Sequence, residues 1–274
     1  MSSHATARAK LRVCTGSTKG HYYAVGQLLA QLFASDLDIE LIPTRGSWEN
    51  LGRIHKQTPE CDAMIAQDDA VALFLYEHPE RIGEIERLSH LYPEHVQVIC
   101  NQRVSAKRLS ELSPETRMLI GSYGTGTFIT WTFIKQLNPS KYGVMKAQEI
   151  GGDDGISQLL QASRPQCMLF VQALAQGSMT RVNDELGGQL RLLNVDDVSF
   201  QYPINQGGIA RVLYQPVHIH RNVYPRILKR HLKTQTVDAV LYLHKSWRRQ
   251  HPRLSSLLGD RVIQLQSVIQ RSVN

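Results

Sequence analysis

Cys14-Thr-Gly-Ser-Thr-Lys-Gly-His-Tyr-Tyr-Ala-Val-Gly26 is the stretch that decides how this chain folds. A short apolar run precedes it and an amphipathic segment follows it, which predicts a strand, a polar loop and the start of a helix. Such a loop presents backbone N–H groups at the positive end of a helix dipole, where a carboxylate or another small anion is stabilised. The loop has neither the Gly-Lys-Ser/Thr of a P-loop nor the Gly-x-Gly-x-x-Gly of dinucleotide sites. Small polar residues also serve turn geometry alone, so both readings stay open.

The length and composition of the chain limit its possible domain organisation and location. With 274 residues, 42% of them hydrophobic, the chain can form one large domain or two lobes. Its apolar runs are short and interrupted by charge, which predicts no membrane-spanning helix. The first ten residues lack the apolar centre of a secretory signal, so we expect an extracytoplasmic protein whose leader has been removed or, alternatively, a cytoplasmic one.

The chain is basic, with a net charge of +7. Its densest basic run is residues 226–233, with residues 247–249 nearby. This pattern favours a solvated helix face over a nucleic-acid patch or a docking surface for an acidic partner. No nucleic-acid-binding signature accompanies it, and we expect no nucleic-acid partner.

Four widely spaced cysteines occur without a Cys-x-x-Cys motif: Cys14, Cys61, Cys100 and Cys167. Each lies in or beside a predicted buried strand, where a thiol behaves as a small hydrophobic group. We expect structural free thiols; the alternatives are one disulfide or a catalytic thiol.

Strand-like and helical segments alternate along the chain, which predicts an α/β fold with mainly parallel sheet and ligands at the C-terminal strand ends. The predicted strands are 11–15, 39–43, 62–66, 96–101, 118–121, 147–150, 168–171, 190–194 and 237–243. The predicted helices are 22–34, 48–57, 70–76, 106–112, 127–136 and 156–162.

The pattern restarts in the second half. The predicted strand 118–121 is followed by a second polar loop, Ser122-Tyr-Gly-Thr-Gly-Thr127, which again opens a helix. Two strand–loop–helix units, one per half, predict two similar lobes whose helix N-termini face each other across a ligand cleft.

Several motifs together carry a resemblance to a known family. They are Tyr22-Tyr-Ala-Val-Gly26 after the first loop, Gly46-Ser-Trp-Glu-Asn-Leu51, Asp62-Ala-Met-Ile-Ala-Gln-Asp68, Leu91-Tyr-Pro-Glu94 and Gly124-Thr-Gly-Thr127. In this order they resemble the solute-binding proteins of TRAP transporters, in particular the TAXI branch. The chain departs from that pattern at Lys19-Gly20-His21, at Ala24 and across residues 216–225.

The resemblance implies the two-lobed type II fold of periplasmic binding proteins, in which each lobe is a mainly parallel sheet flanked by helices. Lobe I would comprise residues 10–100 and 236–274, and lobe II residues 101–235. Two crossing strands, near 96–101 and 237–243, would join them. The implied function is capture of a small polar organic anion or amino acid, such as a glutamate-like carboxylate, for a TRAP-type transporter in the periplasm.

The expected solute contacts are hydroxyls and N–H groups of the two loops, amide side chains and one tyrosine wall. These residues are Thr15, Gly16, Ser17, Tyr22, Tyr23, Ser47, Asn50, Gln67, Asp68, Gly124, Thr125, Gly126, Thr127 and Gln172. Core packing is the alternative for the tyrosines, and helix capping is the preferred interpretation of Asp69.

Charged residues outside the loops are interpreted more simply. His218 and His220 alternate as strand residues would, and with Arg221 and Arg211 they favour an anion over a metal. The pairs Asp153-Asp154 and Asp196-Asp197 are predicted to cap helices. We expect no metal, no cofactor and no catalytic residue.

Two other function classes share this fold. One is a ligand-sensing domain that docks a membrane signalling partner through a basic C-terminal helix. The other is an enzyme, for which Cys14 beside the first loop, or His21, is the candidate reactive group.

Overall fold

The computed structural model describes residues 8–206 and 209–273, which form two compact units. Unit 1 comprises the described residues up to Ala66, together with His78–Tyr92 and Ala239–Val273. Unit 2 comprises Gln67–Glu77 and Pro93–Asp238. Residues 67–77 thus belong to unit 2, whereas the predicted lobe I included them; the lobe boundaries stay a prediction.

The described strands are β1 Ala9–Cys14, β2 Leu37–Ile42, β3 Ala63–Gln67, β4 Ile85–Asn101, β5 Arg117–Leu119, β6 Ala147–Gln148, β7 Gln166–Gln172, β8 Leu190–Leu193, β9 Ile204–Gln206, β10 Ile209–Arg211, β11 Gln215–Ile219 and β12 Leu232–His244. The described helices are α1 His21–Leu32, α2 Ser47–Ile54, α3 Asp68–Glu77, α4 Gly126–Leu137, α5 Pro139–Tyr142, α6 Gly152–Gln161, α7 Gly177–Leu186, α8 Lys245–Gln250, α9 Pro252–Gln264 and α10 Gln266–Ser272. Strands β4 and β12 each have residues in both units.

Unit 1 is built on a parallel sheet. Strand β1 pairs in parallel with β2 on one side and β3 on the other, and β12 lies next to β3. Every residue of β3 is buried, as expected of a central strand in a parallel sheet covered on both faces. Helix α1 turns Val25, Gly26 and Leu29 towards the core.

Unit 2 combines parallel and antiparallel pairs. Strand β5 pairs in parallel with β6 and β7, while β4 runs antiparallel to β7 and β8. Its core gathers apolar side chains from β5, β7, α6 and α7, including Leu119, Phe170, Leu159 and Val182. Because β5, β6 and β7 are parallel, the loops that follow them leave from the same edge of the sheet.

Two helix predictions are wrong. The predicted helix 106–112 is a single 3₁₀ turn, Leu109–Glu111, since its three apolar residues at spacing three also fit one turn. The basic run 226–233 is no helix face: it forms turns and then enters β12, and Leu228 and Leu232 pack into the unit 2 core. Residues 247–249 do lie on a helix, α8, with Arg248 and Arg249 exposed as predicted, whereas α5, α7, α9 and α10 were not predicted.

The prediction of free thiols is wrong as well. Cys14 is bonded to Cys61 in unit 1 and Cys100 to Cys167 in unit 2, and no cysteine of the described residues is free. Cys100 stands directly opposite Cys167 in the antiparallel register of β4 and β7. The partners are 47 and 67 residues apart, so the tertiary fold, not sequence spacing, brings them together.

None of the helices in the described part of the chain is both long and apolar enough to cross a membrane.

Candidate functional site

In unit 1, the loops that leave β1 and β2 are held together by a buried amide. The Asn50 side chain is fully buried; its nitrogen donates to the carbonyls of Thr15 at 2.6 Å and Ile65 at 2.9 Å. Its oxygen accepts from the Thr44 hydroxyl at 2.6 Å, and that hydroxyl also lies 2.9 Å from the Thr15 carbonyl oxygen. Asn50 therefore fixes the end of β1, and a direct solute contact by its side chain stays a prediction.

The first loop places its predicted residues at the start of α1. Thr15 and Gly16 are buried, and Ser17 is exposed. Gly20 is the N-cap of α1, and no side chain caps this helix, so its first N–H groups point towards the loop.

The aromatic and serine positions of unit 1 are partly enclosed. Tyr22 and Tyr23 are half-buried in the first turn of α1. Tyr22 makes an edge contact with Tyr92, with ring centroids 6.5 Å apart. Ser47 is buried at the first position of α2. Tyr22 therefore has an aromatic packing partner, and a solute wall formed by one of the two tyrosines stays a prediction.

In unit 2, three helices begin at glycine just beyond the C-terminal ends of parallel strands. Helix α4 follows β5, α6 follows β6 and α7 follows β7. The Gly121 N–H donates to the Ile150 carbonyl at 3.0 Å, which ties the loops before α4 and α6. Asp153 in the first turn of α6 accepts from Arg181 of α7 at 3.1 Å. These contacts gather three positive helix ends at one edge of the sheet.

The second loop enters α4 through a side-chain cap. Thr125 is the N-cap: its hydroxyl accepts from the Phe128 N–H at 3.4 Å and donates to the Ser122 carbonyl at 2.8 Å. Gly124 adopts a positive φ of 77°, which favours glycine there. Thr127 lies half-buried in the first turn.

Gln67 lies against the start of the same helix. Its side chain is buried, and a Cβ placed on Gly126 would stand 2.2 Å from the Gln67 Oε1. A side chain at position 126 would therefore displace the Gln67 amide from the start of α4. Among the predicted residues of unit 2, the structure thus brings Gln67, Gly126 and the loop of Thr125 together.

The two threonines of this loop are expected to respond differently to valine. Thr125→Val removes the cap of α4 and is expected to lower the free energy of unfolding by about 1 kcal/mol. Thr127→Val keeps shape and removes a hydroxyl to which no described residue is hydrogen-bonded, so stability is expected to stay within about 0.5 kcal/mol. Urea unfolding of both variants measures this; equal losses would contradict the assigned cap.

Two neighbouring carboxyl groups at the start of α3 have different partners. Asp68 is buried and its Oδ2 lies 3.1 Å from Nη2 of Arg211, a half-buried partner, so its charge is compensated. Asp69 is fully buried; its Oδ2 accepts from the Thr130 hydroxyl at 2.6 Å and from the Tyr214 hydroxyl at 2.8 Å. Burial raises the pKa of Asp69 to about 6, although these hydrogen bonds act in the opposite direction. Asp69 is thus more than a helix cap, and its partner Tyr214 was not predicted because it is 145 residues away.

Gln172 ends β7 in a second polar cluster of unit 2. Its amide nitrogen donates to the Gln176 carbonyl at 3.1 Å. In the same loop, Ala175 has a positive φ of 53°, and its N–H donates to the Tyr224 hydroxyl at 3.0 Å. Tyr224 in turn donates to Gln97 at 2.8 Å. The strained alanine marks a loop held in one conformation, and no sequence signal pointed to it.

The other charged residues singled out in the sequence have separate partners in the structure. The His220 ring stacks edge-on against His231 at 4.6 Å, and Arg211 bonds Asp68, so these basic residues have different partners. Asp197 caps a 3₁₀ turn by accepting from the Ser199 N–H at 2.9 Å, as predicted. Asp153 and Asp154 instead lie in the first turn of α6, whose N-cap is Gly151, so the cap prediction is wrong for that pair.

Solved structures similar to this fold include periplasmic and transporter substrate-binding proteins. The aliphatic sulphonate binding protein SsuA of Escherichia coli is 10% identical with a TM-score of 0.56, covering 97% of this chain and 77% of that one. The arginine-bound AbpA of Streptococcus pneumoniae is 10% identical with a TM-score of 0.52, covering 97% of both chains. The periplasmic VFT2 domain of Bordetella pertussis BvgS is 13% identical with a TM-score of 0.50, covering 97% and 93%. These likenesses confirm the predicted α/β binding-protein fold.

No curated protein sequence matches the chain significantly. The sequence profile of the NMT1-like family matches residues 13–251, which is most of the chain. The chain therefore belongs to the NMT1-like family.

Proposed function

We propose that this protein captures a small polar organic anion or amino acid, glutamate-like in carrying a carboxylate, for a TRAP-type transporter. The observation that carries the proposal is the edge of unit 2 at which α4, α6 and α7 begin, with the Gln67 amide against Gly126. N–H groups at helix starts replace the water around a carboxylate, and an amide fixes its orientation. The first loop of unit 1 offers the same chemistry at α1.

The charges near these helix starts support an anionic solute. Asp154 in the first turn of α6 is exposed to solvent, whereas two other acidic side chains of unit 2, Asp68 and Asp153, are paired with Arg211 and Arg181. With their charges compensated, the helix ends remain the main electrostatic influence on the site.

The disulfides support an extracytoplasmic location. Disulfides persist in oxidising compartments such as the bacterial periplasm and are rare in the cytosol. SsuA and AbpA, which share the fold, bind a sulphonate and L-arginine respectively. Both facts agree with a periplasmic protein that binds a small molecule.

A sensing role is the second candidate. The VFT2 domain of BvgS shares the fold, as does the CcmR regulatory domain of Synechocystis in complex with 2-PG, at 12% identity and a TM-score of 0.51. The basic run 226–233 forms no helix, but α8 to α10 are helical and carry exposed arginines, so docking through a basic C-terminal helix stays a prediction. The enzyme alternative loses its first reactive group, because Cys14 is bonded to Cys61 and offers no thiolate.

A thermal-shift screen of carboxylates, acidic amino acids and cations tests the proposal. A solute at about 100 times its dissociation constant adds about 2.7 kcal/mol to the stability of the folded state. We expect the largest stabilisation from an anion, and a weaker one in Thr127→Val. A polyamine that outperforms every anion would contradict the predicted sign of the ligand.

A further inference from the structure

A basic cavity lies in unit 2, built by β8 and the segment that leads into β12. Its volume is about 470 Å³. No aspartate or glutamate of the described residues lines it. Six basic side chains do: Lys107, Arg191, Arg226, Lys229, Arg230 and His231. Most of them come from the basic run whose role as a helix face the structure rules out. The cavity therefore concentrates positive charge in a concave site.

Arg191 lines this cavity, and two of its guanidinium nitrogens lack a hydrogen-bond acceptor among the described residues. It is the second residue of β8, and its Nε and Nη2 atoms are buried without a hydrogen-bond partner among the described residues. Buried guanidinium N–H groups without acceptors are unfavourable, because the lost hydration is not replaced. Nε and Nη2 form one side of the guanidinium fork, which can bind an oxyanion through two oxygens once the side chain turns into the cavity, since both atoms are covered in the structure.

The other basic residues line the same cavity as Arg191, and no aspartate or glutamate of the described residues lines it with them. Arg226 uses one nitrogen for the Asp184 backbone carbonyl, which keeps its positive charge uncompensated. The ring of His231 accepts from the Arg221 N–H at 3.3 Å through Nδ1. Lys229 and Arg230 are exposed. A multivalent anion seated on Arg191 would therefore meet further cations on the same cavity wall.

We propose that this cavity binds a free phosphate-type oxyanion, a phosphorylated small molecule, at a site separate from the proposed solute site. Phosphate fits because it carries more than one negative charge and presents paired oxygens to an arginine. The proposal requires no chemical change of the anion; bound anion stabilises unit 2 by mass action.

Titration calorimetry with pyrophosphate, at an ionic strength fixed with chloride, tests the site. We expect saturable one-to-one binding by the wild type, a loss of affinity of about tenfold or more in Arg191→Gln, and no change in Arg249→Gln. Arg249 is the matched control, because it is an exposed arginine on α8 of unit 1 and removes the same charge. If Arg191→Gln fails to fold, the exposed double variant Lys229→Gln/Arg230→Gln must weaken binding severalfold.

The outcomes separate this site from the other proposals. Equal affinity in Arg191→Gln and wild type, or no binding by wild type, would overturn it. Binding to vesicles of anionic lipid without binding of free pyrophosphate would assign the cavity to a membrane surface instead. Arg191→Gln should leave solute binding unchanged, whereas Thr127→Val should weaken the solute and leave pyrophosphate binding intact. Failure of one proposal is thus distinguishable from failure of the other.

Discussion

Replacing Cys100 and Cys167 together by alanine is expected to lower the free energy of unfolding by about 4 kcal/mol. The bridge closes a loop between residues 67 apart, and the entropy it removes from the unfolded chain rises with loop length. The pair joins adjacent strands of the unit 2 core, so its loss also leaves two buried side chains smaller. Urea unfolding of the oxidised wild type and the double variant measures the difference.

The second bridge supplies the comparison. Cys14→Ala with Cys61→Ala opens a loop between residues 47 apart, so a similar and slightly smaller loss is expected. A reductant should destabilise the wild type and leave a variant without all four cysteines unaffected. The free-thiol interpretation would be correct if the native protein had four titratable thiols and its free energy of unfolding did not change on addition of a reductant.

The second large effect is the pH dependence caused by Asp69. Its pKa is about 6 in the folded state and 3.8 as the ordinary value, so folding binds a proton between these limits. The contribution of Asp69 to the free energy of unfolding is fully present below its ordinary pKa. This contribution is lost as the pH rises through the folded pKa. Asp69→Asn cannot ionise, so its stability relative to the wild type should improve by about 2 kcal/mol between about pH 4.5 and about pH 7.5.

Tyr214→Phe provides the complementary variant. It removes a hydrogen bond that lowers the pKa of Asp69, so this pKa should be higher in the variant than in the wild type. The loss of stability with rising pH should therefore extend to higher pH in Tyr214→Phe than in the wild type. Urea unfolding across the pH range follows both variants. Parallel pH profiles for Asp69→Asn and wild type would show that Asp69 does not titrate in this window.

Local pattern was sufficient for the strand–loop–helix units. The apolar run before Thr15 and the polar loop after Leu119 each predicted a helix start, and α1 and α4 begin there. Prediction failed where one sequence pattern fits two structures. The apolar spacing of residues 106–112 fits both an α-helix and a single 3₁₀ turn. In the basic run, Leu228 is held by the unit 2 core and not by helical periodicity.

Contacts between residues far apart along the chain could not be predicted from the sequence. The Cys100–Cys167 bridge depends on strand register, and the Asp69–Tyr214 hydrogen bond joins residues 145 apart. The cap formed by Thr125 and the approach of Gln67 to Gly126 are details of backbone geometry that loop composition only suggests. Residue type therefore indicated the chemistry of the loops, while the tertiary fold decides which groups already have partners.

The most direct test of solute capture is an NMR titration that follows backbone amides while the best anion from the screen is added. The account predicts saturable shifts of the Gly126 and Thr127 amides at the start of α4, with the anion recovered chemically unchanged. Amide shifts at the start of α1 would extend the site to the first loop. Saturable binding that leaves the amides of α4, α6 and α7 unshifted would contradict the account.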